Sequence, residues 1–253
     1  MGECMHTHTP QPGRRTGNLF CRVRGGVVGV AAAAGVLLAT AGTVPAYAQT
    51  QRVYAAPGTN TFTVPTGVSR IRVVLTGAGG GGSMGTGNTV YLSGGSGGGG
   101  GATSFCTLAV QPGDQMTITV GAGGAAPNGD GLAGTASSVA YAGAGGASAD
   151  AGGGGASADA GGGGHTGPGG HDNAGGAGGM NATWCAGDDA GQNFGQAGTA
   201  GVKDTGGPGG APGAGVSSAC PAGVGRGGNG ADSAPAPYRR GFPGANGCVV
   251  LTY

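Results

Sequence analysis

Charge is scarce in this chain. Only 8% of its 253 residues are Asp, Glu, Lys or Arg, and the formal net charge is +1. Such a chain projects no net field that would recruit nucleic acid or an acidic substrate. Aromatic residues are also few, at 5%. Residues 143–179 go further and lack Val, Ile, Leu, Met, Phe, Tyr and Trp altogether. That stretch has no hydrophobic face to bury and cannot fold by the usual route.

What fills the gap is glycine, 68 residues in all. From Gly143 to Gly179 every third residue is Gly, except at Ala149, Ala158 and Asn173, and ASADAGGGG occurs twice in tandem at 147–155 and 156–164. Nine residues make three whole turns of a three-residue-per-turn helix, so each copy presents the same faces. Two readings compete. Gly-rich chain loses the most entropy on ordering and serves as flexible linker. Alternatively it forms polyglycine II, an extended threefold helix whose N–H and C=O groups point outward to neighbouring helices. Collagen is the poorer match, since Pro168 is the only proline in the stretch. A second in-phase run follows at Gly195, Gly198, Gly201, Gly207, Gly210 and Gly213, broken at Asp204.

Residues 1–48 read as a secretory signal. Arg14, Arg15, Arg22 and Arg24 precede an apolar run at 27–44, and Ala46-Tyr47-Ala48 is a small-x-small cleavage pattern that leaves Gln49 first. The competing reading is an uncleaved anchor, because the run approaches the ~18 residues that span a bilayer. The Arg14-Arg15 pair also raises twin-arginine export, but Thr-Gly-Asn-Leu-Phe after it fits ordinary secretion better. Removing the leader leaves seven Lys and Arg, nine Asp and four cysteines: Cys106, Cys185, Cys220 and Cys248. An even cysteine number in an exported chain favours two disulfides, and the wide spacing speaks against a zinc site.

The mature chain, 49–253, reads as one domain. Arg70–Thr76 alternates Ile71, Val73 and Leu75 against Arg70, Arg72 and Val74, a half-buried strand. Residues 61–65, 102–110, 115–120 and the weaker 136–141 also read as strands, with a Pro112-Gly113-Asp114 turn. The chain closes on Cys248-Val249-Val250-Leu251-Thr252-Tyr253. A terminal strand needs earlier partners, so the glycine region, about 143–215, reads as an insertion before it.

The sequence resembles the bacterial and phage glycine-rich domains. The matching residues are Phe62-Thr63-Val64-Pro65 with Gly67-Val68, then Ile71-Arg72-Val73-Val74-Leu75 running into Gly77-Ala78-Gly79-Gly80-Gly81-Gly82. They continue with Pro112-Gly113-Asp114, Thr117-Ile118-Thr119-Val120-Gly121-Ala122-Gly123-Gly124 and the closing strand. Related regions occur in phage tail-tip adhesins and in the ectodomain of some receptor tyrosine kinases. The resemblance implies an all-β fold, a small antiparallel β-sandwich carrying an inserted polyglycine II bundle. Cys106 with Cys248, bridging strands, and Cys185 with Cys220, bracketing the second glycine run, are the expected pairs, although spacing does not dictate connectivity.

Chemistry is hard to find. His165 and His171, the latter beside Asp172, lack the further ligands a metal needs. No G-x-S-x-G follows a strand and opens a helix. Asp188-Asp189, adjacent in an extended chain, point apart and read as a solvated turn. The sole lysine, Lys203, precedes Asp204 and does not complete a phosphate loop. Asn128-Gly129-Asp130-Gly131 lacks the later carboxylates of a calcium loop. We therefore expect no catalytic residue, metal or cofactor. Candidate binding residues on loops are Trp184, Tyr238, Arg239, Arg240, His165 and His171, since aromatic and Arg side chains on a rigid scaffold suit recognition. Phe194 and Trp184 have a competing role as plugs at the end of the glycine region. The expected protein is an exported, non-enzymatic, adhesin-like structural and binding module, secreted or at the cell surface. Its partner is an unknown protein or glycan, with no nucleic acid and no membrane insertion after cleavage. Alternatives are an ice- or ordered-surface-binding protein and a membrane-anchored surface protein.

Overall fold

The computed structural model describes residues 49–87, 92–141, 155–158, 162, 164, 175–180, 185, 187–234 and 238–253. Its strands are β1 (Gln51–Tyr54), β2 (Gly58–Thr63), β3 (Arg70–Thr76), β4 (Thr86–Gly87), β5 (Leu92–Ser93) and β6 (Thr103–Ala109). They continue with β7 (Gln115–Val120), β8 (Ser137–Tyr141), β9 (Gly155–Ala158), β10 (Asp188–Asn193) and β11 (Cys248–Thr252). Every pairing is antiparallel, and the described residues are all-β. The leader lies outside the described residues, as do Trp184, His165, His171 and most of the first glycine run.

Period-two alternation builds the sheets. In β3, Ile71, Val73 and Leu75 are buried while Arg70 and Arg72 are exposed, and β7 buries Met116, Ile118 and Val120 in the same way. One sheet runs β1-β11-β3-β6-β10 and a second β2-β7-β8-β9. Their inner faces share a single apolar cluster. Ile71, Leu75, Leu108 and Leu251 come from the first sheet, and Phe62, Met116, Ile118 and Val139 from the second. The terminal strand lies centrally between β1 and β3, as its continuous burial from Cys248 to Leu251 requires.

Three expectations are corrected. The disulfides join Cys106 to Cys185 and Cys220 to Cys248, with Cα separations of 6.0 and 6.2 Å. The expected bridge between Cys106 and Cys248 fails because β3 lies between their strands. Two strand spacings amount to ~10 Å, beyond a disulfide's reach. The two cysteines also serve different clusters: Cys106 lies in the main core, Cys248 in a smaller one with Val224 and Val250. Asp188 and Asp189 do not form a turn. They begin the edge strand β10, where a register break carries Asp189 into a left-handed conformation (φ 52°) and Asp188 pairs with Arg70. Finally, Gly155–Ala158 of the nonapeptide repeat is a strand on the edge of β8. Threefold-helical and strand backbones lie close in φ/ψ, so a chain of small residues adopts the one whose partner is available.

Beyond the sheets the strands continue as extended segments, tied side to side by backbone hydrogen bonds. Residues 77–85 continue β3, and their N–H groups rotate among three neighbours. Gly77, Gly80 and Ser83 donate to the carbonyls of Ala102, Gly99 and Ser96. Ala78, Gly81 and Met84 donate to Thr135, Leu132 and Gly129. Gly79, Gly82 and Gly85 donate to Ala245, Phe242 and Arg239. Each set steps by three along both chains, in opposite directions. Residues 94–102, which lead into β6, behave alike. Gly95, Gly98 and Gly101 donate to Ala231, Gly228 and Gly225, and Gly97 and Gly100 to Thr199 and Gln196. Their carbonyls in turn accept from residues of 77–85, 176–179 and 207–213. The network thus extends well outside 143–215. It includes the glycine tracts at 77–85 and 94–101 and the 225–232 stretch, and it repeats the strand neighbours β3–β6, β11–β3 and β7–β8.

Such closeness leaves no room for side chains. A Cβ on Gly98 would overlap the carbonyl of Gly80, and one on Gly100 that of Ala211. Residues 77–83 and 94–102 are accordingly all buried. Where a backbone carbonyl is missing, a side chain replaces it. Gly206 and Gly209, three apart, donate to Asp232 Oδ1 (3.0 Å) and Asn229 Oδ1 (2.9 Å), and Pro212, next in that phase, has no N–H to satisfy.

Candidate recognition tip

The register fixes which loops share an end. Residues 77 and 102 adjoin the strands, whereas 85 and 94 lie at the far end of their segments. Gly85 bonds to Arg239, Met84 to Gly129, Gly95 to Ala231, and Gly207 to Gly95. The short β4–β5 pair and the turns at 128–130, 201–205, 231–234 and 238–240 therefore cluster away from the two larger sheets. At ~3.1 Å per residue of extended chain, the nine residues of 77–85 set this tip about 28 Å from the end of β3.

Tyr238, Arg239 and Arg240, predicted as binding residues, stand at this tip and all three are exposed. Tyr238 is 51% exposed. Arg239 forms an isolated bridge with Gly85, and Arg240 Nε donates to Asn128 Oδ1 at 2.7 Å. The backbone of one arginine and the side chain of the other thus hold the segment to neighbouring turns, a polar support that fixes where Tyr238 stands. Phe194 is not a plug: it is 57% exposed and sits near the sheets at the start of 194–201, away from the tip.

Sequence reasoning missed a second tip element. Val202 and Thr205 exchange two backbone hydrogen bonds, 2.9 and 2.8 Å, closing a tight turn over Lys203 and Asp204. Lys203 adopts φ 39°, uncommon outside glycine. The turn displays Val202, 69% exposed, beside a cation and an anion. Ser233 N donates to the carbonyl of Asp204 and anchors it to the next loop. The usable signal was Val-Lys-Asp-Thr interrupting the glycine phase, since a phase break in a packed segment has to be a turn.

The tip is therefore a small surface of Tyr238, Val202 and Leu92 interspersed with Arg239, Arg240, Lys203, Asp130 and Asp204. Both charge signs are present. A concavity of about 340 Å³ lies near the Cys220–Cys248 disulfide, lined by Val216, Pro221, Val224 and Arg226. Among the described residues, no three His, Cys, Asp or Glu side chains converge on a metal-sized space. No helix among them is long and apolar enough to cross a membrane.

The chain matches the family described as Glycine-rich domain over residues 54–253. No curated protein matches it.

Proposed function

Since the chain belongs to the glycine-rich domain family, we propose that it is an exported, non-enzymatic binding module, secreted or at the cell surface. In this reading a β-sandwich carries a polyglycine II bundle, and the bundle presents a recognition tip. The observation that carries it is the rotation of hydrogen-bond targets with period three along 77–85 and 94–102. A threefold helix in side-by-side packing has that property, and a flexible linker does not. Rigidity matters because binding then costs little loop ordering. Tyr and Arg residues on such a support are the side chains that dominate recognition surfaces. Two disulfides fit an oxidising compartment, in keeping with an exported chain that starts at Gln49.

The ligand class in this reading is a protein or glycan surface, read by one aromatic ring and several mixed charges. The test is a glycan and cell-surface protein array probed with oxidised 49–253. Each hit is measured again with Tyr238→Ala and Arg239→Ala. A specific hit should weaken tenfold or more with either variant; hits indifferent to both would remove the tip from the mechanism. Amino-terminal sequencing of the exported protein checks the leader, and any start other than Gln49 would revise it.

The ice-binding alternative has one observation in its favour: Ala197 and Ala200, three apart, are both exposed on 194–201. The next position in that phase is Lys203, a charged residue on a turn, so the alanine face is short and we rank it second. Thermal hysteresis of the purified protein separates the two readings.

A further inference from the structure

The sheets end in edge strands, and three of the described edges differ in how they are guarded. β1 is four residues long and carries Arg52. β10 carries Asp188 and Asp189 and breaks register between Asp188 and Gly191. Short length, charge and bulges are the usual devices that stop an edge from pairing with another chain. β2 has none of them. It is six residues long, GTNTFT, without charge or proline, and its register with β7 is unbroken from Gly58↔Val120 to Thr63↔Gln115. All of its residues except Phe62 are exposed.

The direction of its free backbone groups follows from one end. Val64 N donates to the Asp114 carbonyl (2.9 Å), and Gly113 N donates to the Val64 carbonyl (2.9 Å), so Val64 faces β7. Backbone direction alternates along a strand. Phe62, Asn60 and Gly58 therefore also face β7, while Thr59, Thr61 and Thr63 point their N–H and C=O groups outward. No described residue bonds those outward groups.

We propose that β2 is a homodimerisation edge, pairing antiparallel with β2 of a second copy about a twofold axis at Thr61. The strand is complementary to itself in that arrangement. Thr61 faces its own copy, Thr59 faces Thr63 and Thr63 faces Thr59, so three hydrogen-bonded pairs form with six backbone bonds. Threonines meet threonines across the axis, a favourable cross-strand pair. The two four-stranded sheets become one of eight strands. A joint of one strand pair is small, so the dimer is weak, with dissociation at about tens to hundreds of micromolar. The proposal is independent of the tip, which lies at the opposite end of the segments that continue the strands.

Sedimentation of oxidised 49–253 from about 5 µM to 1 mM, together with amide exchange at the same concentrations, tests it. The expected result is a monomer–dimer equilibrium, with protection of the Thr59, Thr61 and Thr63 amides rising with concentration. Thr61→Pro removes only an outward N–H and keeps the Asn60 and Phe62 bonds to β7. Thr61→Lys retains the backbone and sets two like charges face to face. Both should be monomeric at every concentration, and the lysine variant decides should the proline one misfold. A monomeric wild type at 1 mM would overturn the proposal. So would a dimer that persists in Thr61→Lys or leaves the three threonine amides unprotected.

Discussion

Replacing Gly98 by alanine adds one methyl group, and its consequence separates a packed glycine array from a tether. Gly98 N donates to the Gly228 carbonyl at 2.9 Å, and the Gly98 carbonyl accepts from Gly210 N at 2.8 Å. Its Cβ would overlap the carbonyl of Gly80, with the Gly81 oxygen close behind. Neither is the end of a flexible side chain. Backbone 77–85 must move away from 94–102, and that stretches or breaks the Gly80–Gly99 bond and its neighbours in the buried interior. Each buried polar group left unsatisfied costs about 1–3 kcal/mol. Alanine also restricts the unfolded chain, which returns about 0.4–1 kcal/mol. With two bonds disturbed, the net loss is ~3 kcal/mol or more. For a domain of this size that lowers Tm by roughly 6–12 °C. The assay is calorimetric unfolding of oxidised 49–253, with Gln196→Ala as control. Gln196 is exposed and uses only its backbone in the network, so the control should stay within about 0.5 kcal/mol. A neutral or stabilised Gly98→Ala would refute the close packing and return 94–102 to the status of a spacer.

Other expectations follow from single features. Removing the 28-residue crosslink with Cys220→Ser and Cys248→Ser should destabilise by about 3.5 kcal/mol in the chain-entropy treatment. The 79-residue link, Cys106 to Cys185, should be worth about 4.5 kcal/mol; chemical denaturation of each double variant checks both, and peptide mapping under oxidising conditions checks the pairing. Leu75→Ala, in a fully buried position on β3, should cost about 2–5 kcal/mol, read from the same denaturation curves. Burial raises the Tyr141 phenol above its ordinary value of 10.0, with Asp114 adding to the shift, and the hydroxyl donates to the Ala109 carbonyl at 2.6 Å. The folded state thus holds its proton when the unfolded state has begun to lose it. Its contribution is complete below pH ~10 and lost as pH rises through the raised folded value. Unfolding followed from pH 8 to 11 should show Tyr141→Phe with a shallower alkaline decline than wild type; an identical slope would remove Tyr141 from the alkaline transition.

The strands were legible where side chains alternate. Arg70–Thr76 and Gln115–Val120 have the boundaries their patterns predict, because each buries three large residues on one face. β1 and β10 were not, since Gln51–Tyr54 and Asp188–Asn193 are mostly exposed edges with no apolar face to announce them. The disulfides were illegible because connectivity depends on strand order, and no local pattern says that β3 separates β6 from β11. The reach of the hydrogen-bonded glycine network was not legible for a subtler reason. A single in-phase glycine marks a segment at the periphery, such as Gly195, Gly198 and Gly201, where only one phase is crowded. In 206–213 two phases of three are Gly except at Pro212, and Pro208 and Ala211 hold the third. In 94–102 nearly every residue is Gly because neighbours crowd every side. The segment crowded on every side therefore had no phase to read. Tyr238–Arg240 was found because it interrupts glycine with large side chains; the turn at Val202–Thr205 carried the same mark and was overlooked.

Because each residue along 77–85 addresses the next of three neighbours in strict rotation, and 95–101 does so in two of its three phases, these segments have something akin to a reading frame. Inserting one residue between Gly98 and Gly99 would turn everything downstream by a third of a revolution. Gly99 to Gly101 would then address the wrong neighbours, and Ala102 would carry its methyl group toward backbone, much as a shifted codon phase garbles the message beyond it. Lengthening by whole triplets keeps the frame, but only if the facing segments lengthen with it. The tip can thus be moved outward in steps of ~9 Å, and a lineage changing its height would have to edit several distant stretches of the gene in concert.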